Sequence, residues 1–270
     1  MFNVTVSAHV ALLAYAAYCG DAVANWNCFW CSRVNTFSPI GTFGNSSGAA
    51  FGFVGIDRFA ASPEIVVMWR GTDNIAGWID DAQFAQIANP FGSGLVHKGF
   101  AAAYGAARSD ALQTLRLAMS ACPHCKRITV SGHSLGAALA TLCAADLGGV
   151  IVGPTIRLLN FGSPRVGDPA FVLWWASNRS DVAVERHVWE DDIVPHAPAQ
   201  SFFGTHYAHL PTEVWHPDGG NWQTCSSTNG ESPTCADSVP FFFWNWIDHG
   251  DYFGVSIFKG IPAGCLFTDH

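Results

Sequence analysis

The sequence predicts an α/β domain built on a central, mainly parallel or mixed sheet, with helices on both faces. Three observations predict it. Short apolar runs alternate along the chain with helix-period segments long enough to cross over. One run leads through a glycine-flanked serine directly into an Ala/Leu-rich segment. Finally, no repeat, low-complexity tract or Pro/Ser linker divides the 270 residues, so one domain over 1–270 is expected.

The elements justify that reading in order. Ala8 to Cys19 is apolar but too short for a bilayer, which needs about 20 residues. No basic residue precedes it, and it is read as a packed N-terminal helix of the mature protein, with Met1 a remnant of expression. Glu64 to Arg70 is a continuous apolar run closed by Gly71, as in a strand buried on both faces. Gly99 to Ala121 places Phe100, Tyr104, Ala107, Ala111, Leu115 and Ala118 at helical spacing until Cys122-Pro123 stops it. Arg127 to Ser131 is the next strand, and a helix runs from Ser134 to about Leu147. Thr155 to Phe161 is a strand, Asp168 to Ser177 a helix, and Val182 to Trp189 strand-like again. Pro195 to Ser238, rich in Pro, Gly, Ser and Cys, reads as polar loop decorating one end.

Composition narrows function. Thirteen Lys and Arg against 21 Asp and Glu give a formal charge of −8, which argues against nucleic acid. Eleven Trp and 20 Phe suggest that some aromatic surface serves an apolar ligand. Nine cysteines and three Asn-x-Ser/Thr sequons, at Asn3, Asn45 and Asn178, point to an oxidising, extracellular compartment. Cys28/Cys31 and Cys122/Cys125 are CxxC pairs, open to half-zinc, redox or short-disulfide readings. Two zinc halves some ninety residues apart would need an unusual fold, so short disulfides are expected. Cys143, in an Ala/Leu run, is the odd cysteine and reads as a buried small hydrophobe.

The chemistry concentrates at Gly132-His133-Ser134-Leu135-Gly136. A strand before this pattern and a helix after it place the serine on a tight turn with its hydroxyl presented. Flanking glycines relieve crowding there, and the free N–H groups of the helix start, Leu135 first, face a developing oxyanion. A serine hydroxyl also needs a base and an orienting acid. Eleven histidines leave the base open on chemistry alone.

Seven stretches in order resemble the class 3 lipases, the filamentous-fungal family that includes feruloyl esterases. They are Trp69-Arg70-Gly71-Thr72, Val96-His97-Lys98-Gly99-Phe100, Thr129 to Gly136, and Phe161-Gly162-Ser163-Pro164-Arg165-Val166-Gly167. Asp192-Ile193-Val194-Pro195, Glu213-Val214-Trp215 and His249-Gly250-Asp251-Tyr252-Phe253-Gly254 complete the set. The resemblance implies an α/β-hydrolase fold with a Ser134, Asp192, His249 triad in that order. Asp191 is the rival acid and Glu190 a weaker one; at a strand end only one of two adjacent side chains can face the site. His206, His209 and His216 are left as surface or packing residues, and His133 packs beneath the nucleophile. Thr72 is implied as the second oxyanion donor beside Leu135, with Asp81 supporting its hydroxyl. Cys19–Cys265 and Cys28–Cys31 are implied disulfides, whereas Cys122–Cys125 and Cys225–Cys235 are paired by proximity in sequence.

Residues 73–82 correspond to the family's lid. Asn74 lies within it, and Ile75, Trp78 and Ile79 fall on one helical face before a strand around Gln83–Phe84. Pro240 to Ile247, with Phe243, Trp244 and Trp246 as candidate substrate-binding residues, reads either as the wall of an acyl groove, a lipid-facing surface, or core. The expectation is a secreted, monomeric acylglycerol lipase acting at an oil–water or membrane interface. It needs no metal, organic cofactor or obligate protein partner. A feruloyl or carbohydrate esterase and a non-catalytic lipid- or glycan-binding relative are the alternatives, and an intact triad argues against the second.

Overall fold

The computed structural model describes residues 3–72, 84–202, 204–225 and 230–265. Eight strands form one sheet in chain order: β1 (Phe37–Gly44), β2 (Phe51–Asp57), β3 (Glu64–Trp69), β4 (Arg127–His133), β5 (Thr155–Phe161), β6 (Ala183–Trp189), β7 (Glu213–His216) and β8 (Gln223–Cys225). Strands β3 to β7 run parallel, and the three pairings at the edges are antiparallel, giving a mixed sheet. The register sets Trp69 beside Gly132 and His133 beside Phe161, so the ends of β3, β4 and β5 converge.

Alternation along the strands divides the interior in two. Ile65, Val67 and Trp69 of β3 face a core shared with α2 (Lys98–Ala121), α3 (Leu135–Val150) and α4 (Pro169–Asn178). Val66 and Met68 face the opposite core, which contains α1 (Val4–Ala16). Helices therefore cover both faces, as expected.

The stretch Val4–Asn25 is apolar and long enough to pass for a membrane span, but 67% of that window is buried inside the protein. The α-helix itself ends at Ala16, and Gly20 breaks the 3-10 turn that follows with a φ of +57°. An apolar helix with no polar face needs protein on every side, which the second core supplies.

Two expectations are corrected, and two strands are added. Pro195 to Ser238 is more than decoration, because β7 and β8 lie within it and extend the sheet. Their buried polar residues hid them: Glu213 is accepted into the interior by Arg186, itself buried, at 3.3 Å. Strands β1 and β2 show no clear alternation in sequence, because glycines and a proline interrupt it. Finally, Gln83 lies outside the described residues, Phe84 is not in a strand, and the nearby strand is Gln86–Ala88, paired with Leu95–His97.

Both CxxC pairs close internally as Cys28–Cys31 and Cys122–Cys125, and Cys19–Cys265 and Cys225–Cys235 are also bonded. Bonded to each other, these sulfurs offer no thiolates to a zinc ion, and the short disulfides expected from the sequence are formed. Cys143 is free and buried, its thiol pushed up to about 12 by that burial.

Candidate active site

Strand β4 delivers Ser134 to the N-terminus of α3, with φ +60° and ψ −130°. A side chain in the positive-φ region is strained, and here the neighbours fix it. A Cβ on Gly132 would collide with the backbone of Gly136, and one on Gly136 with the carbonyl of Trp69. Only glycines allow β3, β4 and α3 to meet this closely. The Ser134 N–H donates to the Phe161 carbonyl at 3.0 Å, tying the turn to the end of β5.

The residue immediately after β5, Gly162, brings the partners in. Its φ is +55°, and a Cβ there would lie 2.7 Å from His249 Cε1 and 2.8 Å from Asp192 Oδ2. His249 Nδ1 stands 2.9 Å from both carboxylate oxygens of Asp192. Asp192 Oδ2 also accepts from the Tyr252 hydroxyl at 2.7 Å, and Oδ1 from the Val194 N–H at 2.9 Å. Burial would raise this carboxyl; the charge and hydrogen bond of His249, then Tyr252 and Val194, outweigh it and hold it below the usual range. The other ring nitrogen, His249 Nε2, is buried and has no hydrogen-bond partner among the described residues.

The rival carboxylates differ in their surroundings. Asp191 and Asp192 lie in a turn beyond β6, after Glu190 at φ +41°, so strand alternation does not choose between them. Asp192 is fully buried against His249, whereas Asp191 is half-buried and its N–H donates to Asp248 at 3.0 Å. His133 lies buried beside the site, its ring centroid 4.5 Å from that of His249. Its Nε2 reaches the His249 carbonyl at 2.7 Å and its Nδ1 the Tyr18 hydroxyl at 2.7 Å. The carbonyl must accept, so Nε2 carries the proton and Nδ1 accepts from Tyr18. Burial, then the charge of His249, pushes His133 down to about 3, which keeps it neutral.

Leu135 is the first residue of α3, where helix N–H groups have no partner in the preceding turn. Thr72 is half-buried and follows Gly71, where a Cβ would lie 2.7 Å from the His133 carbonyl and against the Tyr18 hydroxyl. The loop after β3 thus runs along the nucleophile turn. Asn74, Ile75, Trp78, Ile79 and Asp81 lie outside the described residues.

The run before His249 is not core. Phe243 is 56% exposed, and Trp246 is 37% exposed with its ring edge-on to His249 at 6.5 Å. Trp244 turns away: it stacks on His196 at 3.8 Å and lines a cleft of about 560 Å³ with Arg165, Glu231 and Asp237. The residues that sequence reasoning missed are Tyr252, Gly162 and Tyr18. The first two stood inside quoted motifs, and the signal was a tyrosine three residues after the histidine.

A strained serine on a strand-to-helix turn, beside a buried His–Asp pair, is the site of a serine ester hydrolase. The profile described as "Lipase (class 3)" matches residues 66–202. A lipase of Rhizomucor miehei is 34% identical over 253 residues, covering 90% of this chain and 67% of its own. The solved triacylglyceride lipase of that organism superposes with a TM-score of 0.80 over 97% and 96% of the two chains, at 30% identity. Lipase II from Rhizopus niveus gives 0.82 at 30% identity, over 97% of each chain. A secreted mono- and diacylglycerol lipase of Fusarium solani is 37% identical over 161 residues, covering 59% of this chain and 46% of its own. The chain spans 67% of the length of the Rhizomucor miehei lipase and 62% of that of a Rhizopus niveus lipase. It belongs to the class 3 lipase family.

Proposed function

We propose that this protein hydrolyses acylglycerols through an acyl-enzyme on Ser134. The observation that carries the reading is the buried Nε2 of His249, without a hydrogen-bond partner among the described residues, whose Nδ1 is locked to Asp192 next to the serine turn. Nε2 takes the Ser134 proton as Oγ attacks the ester carbonyl, and Asp192 stabilises the imidazolium that forms. The oxyanion collects on the N–H groups of Leu135 and Thr72. His249 then returns the proton to the departing glycerol oxygen. Water repeats the sequence to release the fatty acid. Asp81 supports the Thr72 hydroxyl, and Asn74, Ile75, Trp78 and Ile79 belong to a lid over Ser134. Phe243 and Trp246 flank the acyl chain.

Triacylglycerols are the first substrate class, since a matching structure is named for triacylglyceride hydrolysis. A preference for mono- and diacylglycerols is the second reading, carried by the likeness to the mono- and diacylglycerol lipase of Fusarium solani. Four disulfides support secretion. The test compares fatty-acid release from emulsified triolein, dispersed diolein and methyl ferulate, for the parent and Ser134→Ala. Release from the glycerides is expected, with Ser134→Ala at background. Ser134→Ala turning over near the parent rate would defeat the mechanism, and methyl ferulate as the best substrate would replace the substrate class.

A further inference from the structure

The segment ahead of His249 carries a surface that ester chemistry alone does not require. Within Phe241 to Ile247, Phe241 is 74% exposed, Phe242 68% and Ile247 70%, beside the exposed Phe243 and Trp246. A contiguous patch of this kind on a folded protein marks a place where something apolar docks. The turn is held in shape before anything arrives. Phe243 N–H donates to the Pro240 carbonyl at 2.9 Å, and the Trp244 indole N–H to the Val239 carbonyl at 3.0 Å. Asn245 Oδ1 accepts from the N–H groups of Ile247 and Asp248, at 2.9 and 3.0 Å. Little conformational entropy is left to lose on docking.

Two further observations select the occupant. The patch is continuous with the hydrolytic site: Asn245 bridges to Asp192, and the Trp246 ring stands against His249. It is also flanked by carboxylates. Asp248 accepts from Asp191 N–H and from Asn245, and partial burial, then Asp248, raise the carboxyls of Glu190 and Asp191. In a symmetric pair of copies docked through this turn, the same carboxylates would face each other, which disfavours a second copy. A surface of uncharged esters meets no such repulsion.

We propose that Phe241, Phe242, Phe243, Trp246 and Ile247 form a preformed anchor for uncharged lipid surfaces, with Glu190, Asp191 and Asp248 discriminating against anionic ones. The anchor belongs to the described body of the protein, not to residues 73–83. The proposal rests on the ester-hydrolase reading of the adjoining site, and its test is kept separate from turnover.

The test measures partitioning of Ser134→Ala protein, which leaves the lipid intact, onto triolein emulsions coated with phosphatidylcholine. The double substitution Phe241→Ser/Phe242→Ser is expected to lower the partition coefficient by about a hundredfold, since each ring withdrawn from the interface costs about tenfold. Its unfolding temperature should stay near the parent's, because both rings are exposed. Replacing half the phosphatidylcholine with phosphatidylglycerol is expected to weaken parent binding severalfold, and Glu190→Gln/Asp191→Asn to restore it. Unchanged partitioning of the double variant, or equal binding to the anionic coat, would overturn the proposal. So would dimers in solution that the double variant abolishes. If Ser134 protein bound the emulsion yet hydrolysed no ester, the hydrolase reading would fall and the anchor would stand.

Discussion

At the scale of single residues, the site depends on a glycine that has no chemistry of its own. Gly162 at φ +55° lets His249 and Asp192 lie directly over the backbone at the end of β5. Gly162→Ala should therefore lower kcat by about a hundredfold, the usual result of displacing a catalytic group by about an ångström. A fall confined to KM would contradict this, because binding alone would then have suffered. Tyr252→Phe is a gentler probe. It removes the hydroxyl from Asp192 Oδ2, leaving His249 and Val194 as donors. The Asp192 carboxyl should rise toward the ordinary carboxylate range, and the acid limb of the activity profile should move to higher pH. An unmoved limb would mean that Tyr252 only fills space. Of this constellation, Ser134, Asp192 and His249 could be proposed from the sequence because each sits in a short contiguous stretch that resembles the family. Tyr252 and Gly162 act through another residue, and no pattern in one sequence separates such a role from a marker of family.

At the scale of elements, legibility followed apolar content. Strands β3 to β6 and helices α2 to α4 were readable because each carries a buried apolar run or stripe. Strands β7 and β8 were not, because Glu213 and His216 are buried as polar groups and each strand spans at most four residues. The first helix shows the opposite ambiguity. The apolar stretch Val4–Asn25 has the length and composition of a span, but α1 itself covers only 13 residues, and its packing among Met68, Leu159 and Phe161 makes it core. Cys19–Cys265 fastens the end of that helical segment to the far end of the fold, across 246 residues. Cys19→Ser/Cys265→Ser should lower stability by about 2–5 kcal/mol through the long loop released in the unfolded chain. Denaturant unfolding measures this, and a change below about 1 kcal/mol would show that packing alone holds α1 in place.

At the scale of the molecule, the unusual feature is how many histidines the fold keeps neutral. Burial pushes His97 and His216 down to about 4 and His133 to about 3, and it holds His187 and His209 well below their ordinary value. Two of them are held by roles that protonation would abolish. His97 Nδ1 caps α2 by accepting from the Phe100 N–H, and His187 Nδ1 meets His216 Nε2 at 3.1 Å, where one nitrogen must be bare. The sign follows from linkage. With folded values below the unfolded value near 6.5, the unfolded chain binds more protons across that interval, so stability falls as pH falls from about 6.5. Each histidine contributes on the order of 1 kcal/mol per pH unit once its unfolded counterpart is charged. The lowered carboxyls of Asp57, Asp192 and Glu231 act in a separate window: their contribution is intact above the ordinary carboxylate range and is lost only below it. Unfolding temperature should therefore drop by about 10 °C or more between pH 6.5 and 4.5, before the carboxylates take part. The measurement is a thermal scan at half-unit pH intervals. A flat profile down to pH 4.5, with loss only below it, would assign acid unfolding to the carboxylates and remove the histidines from the account.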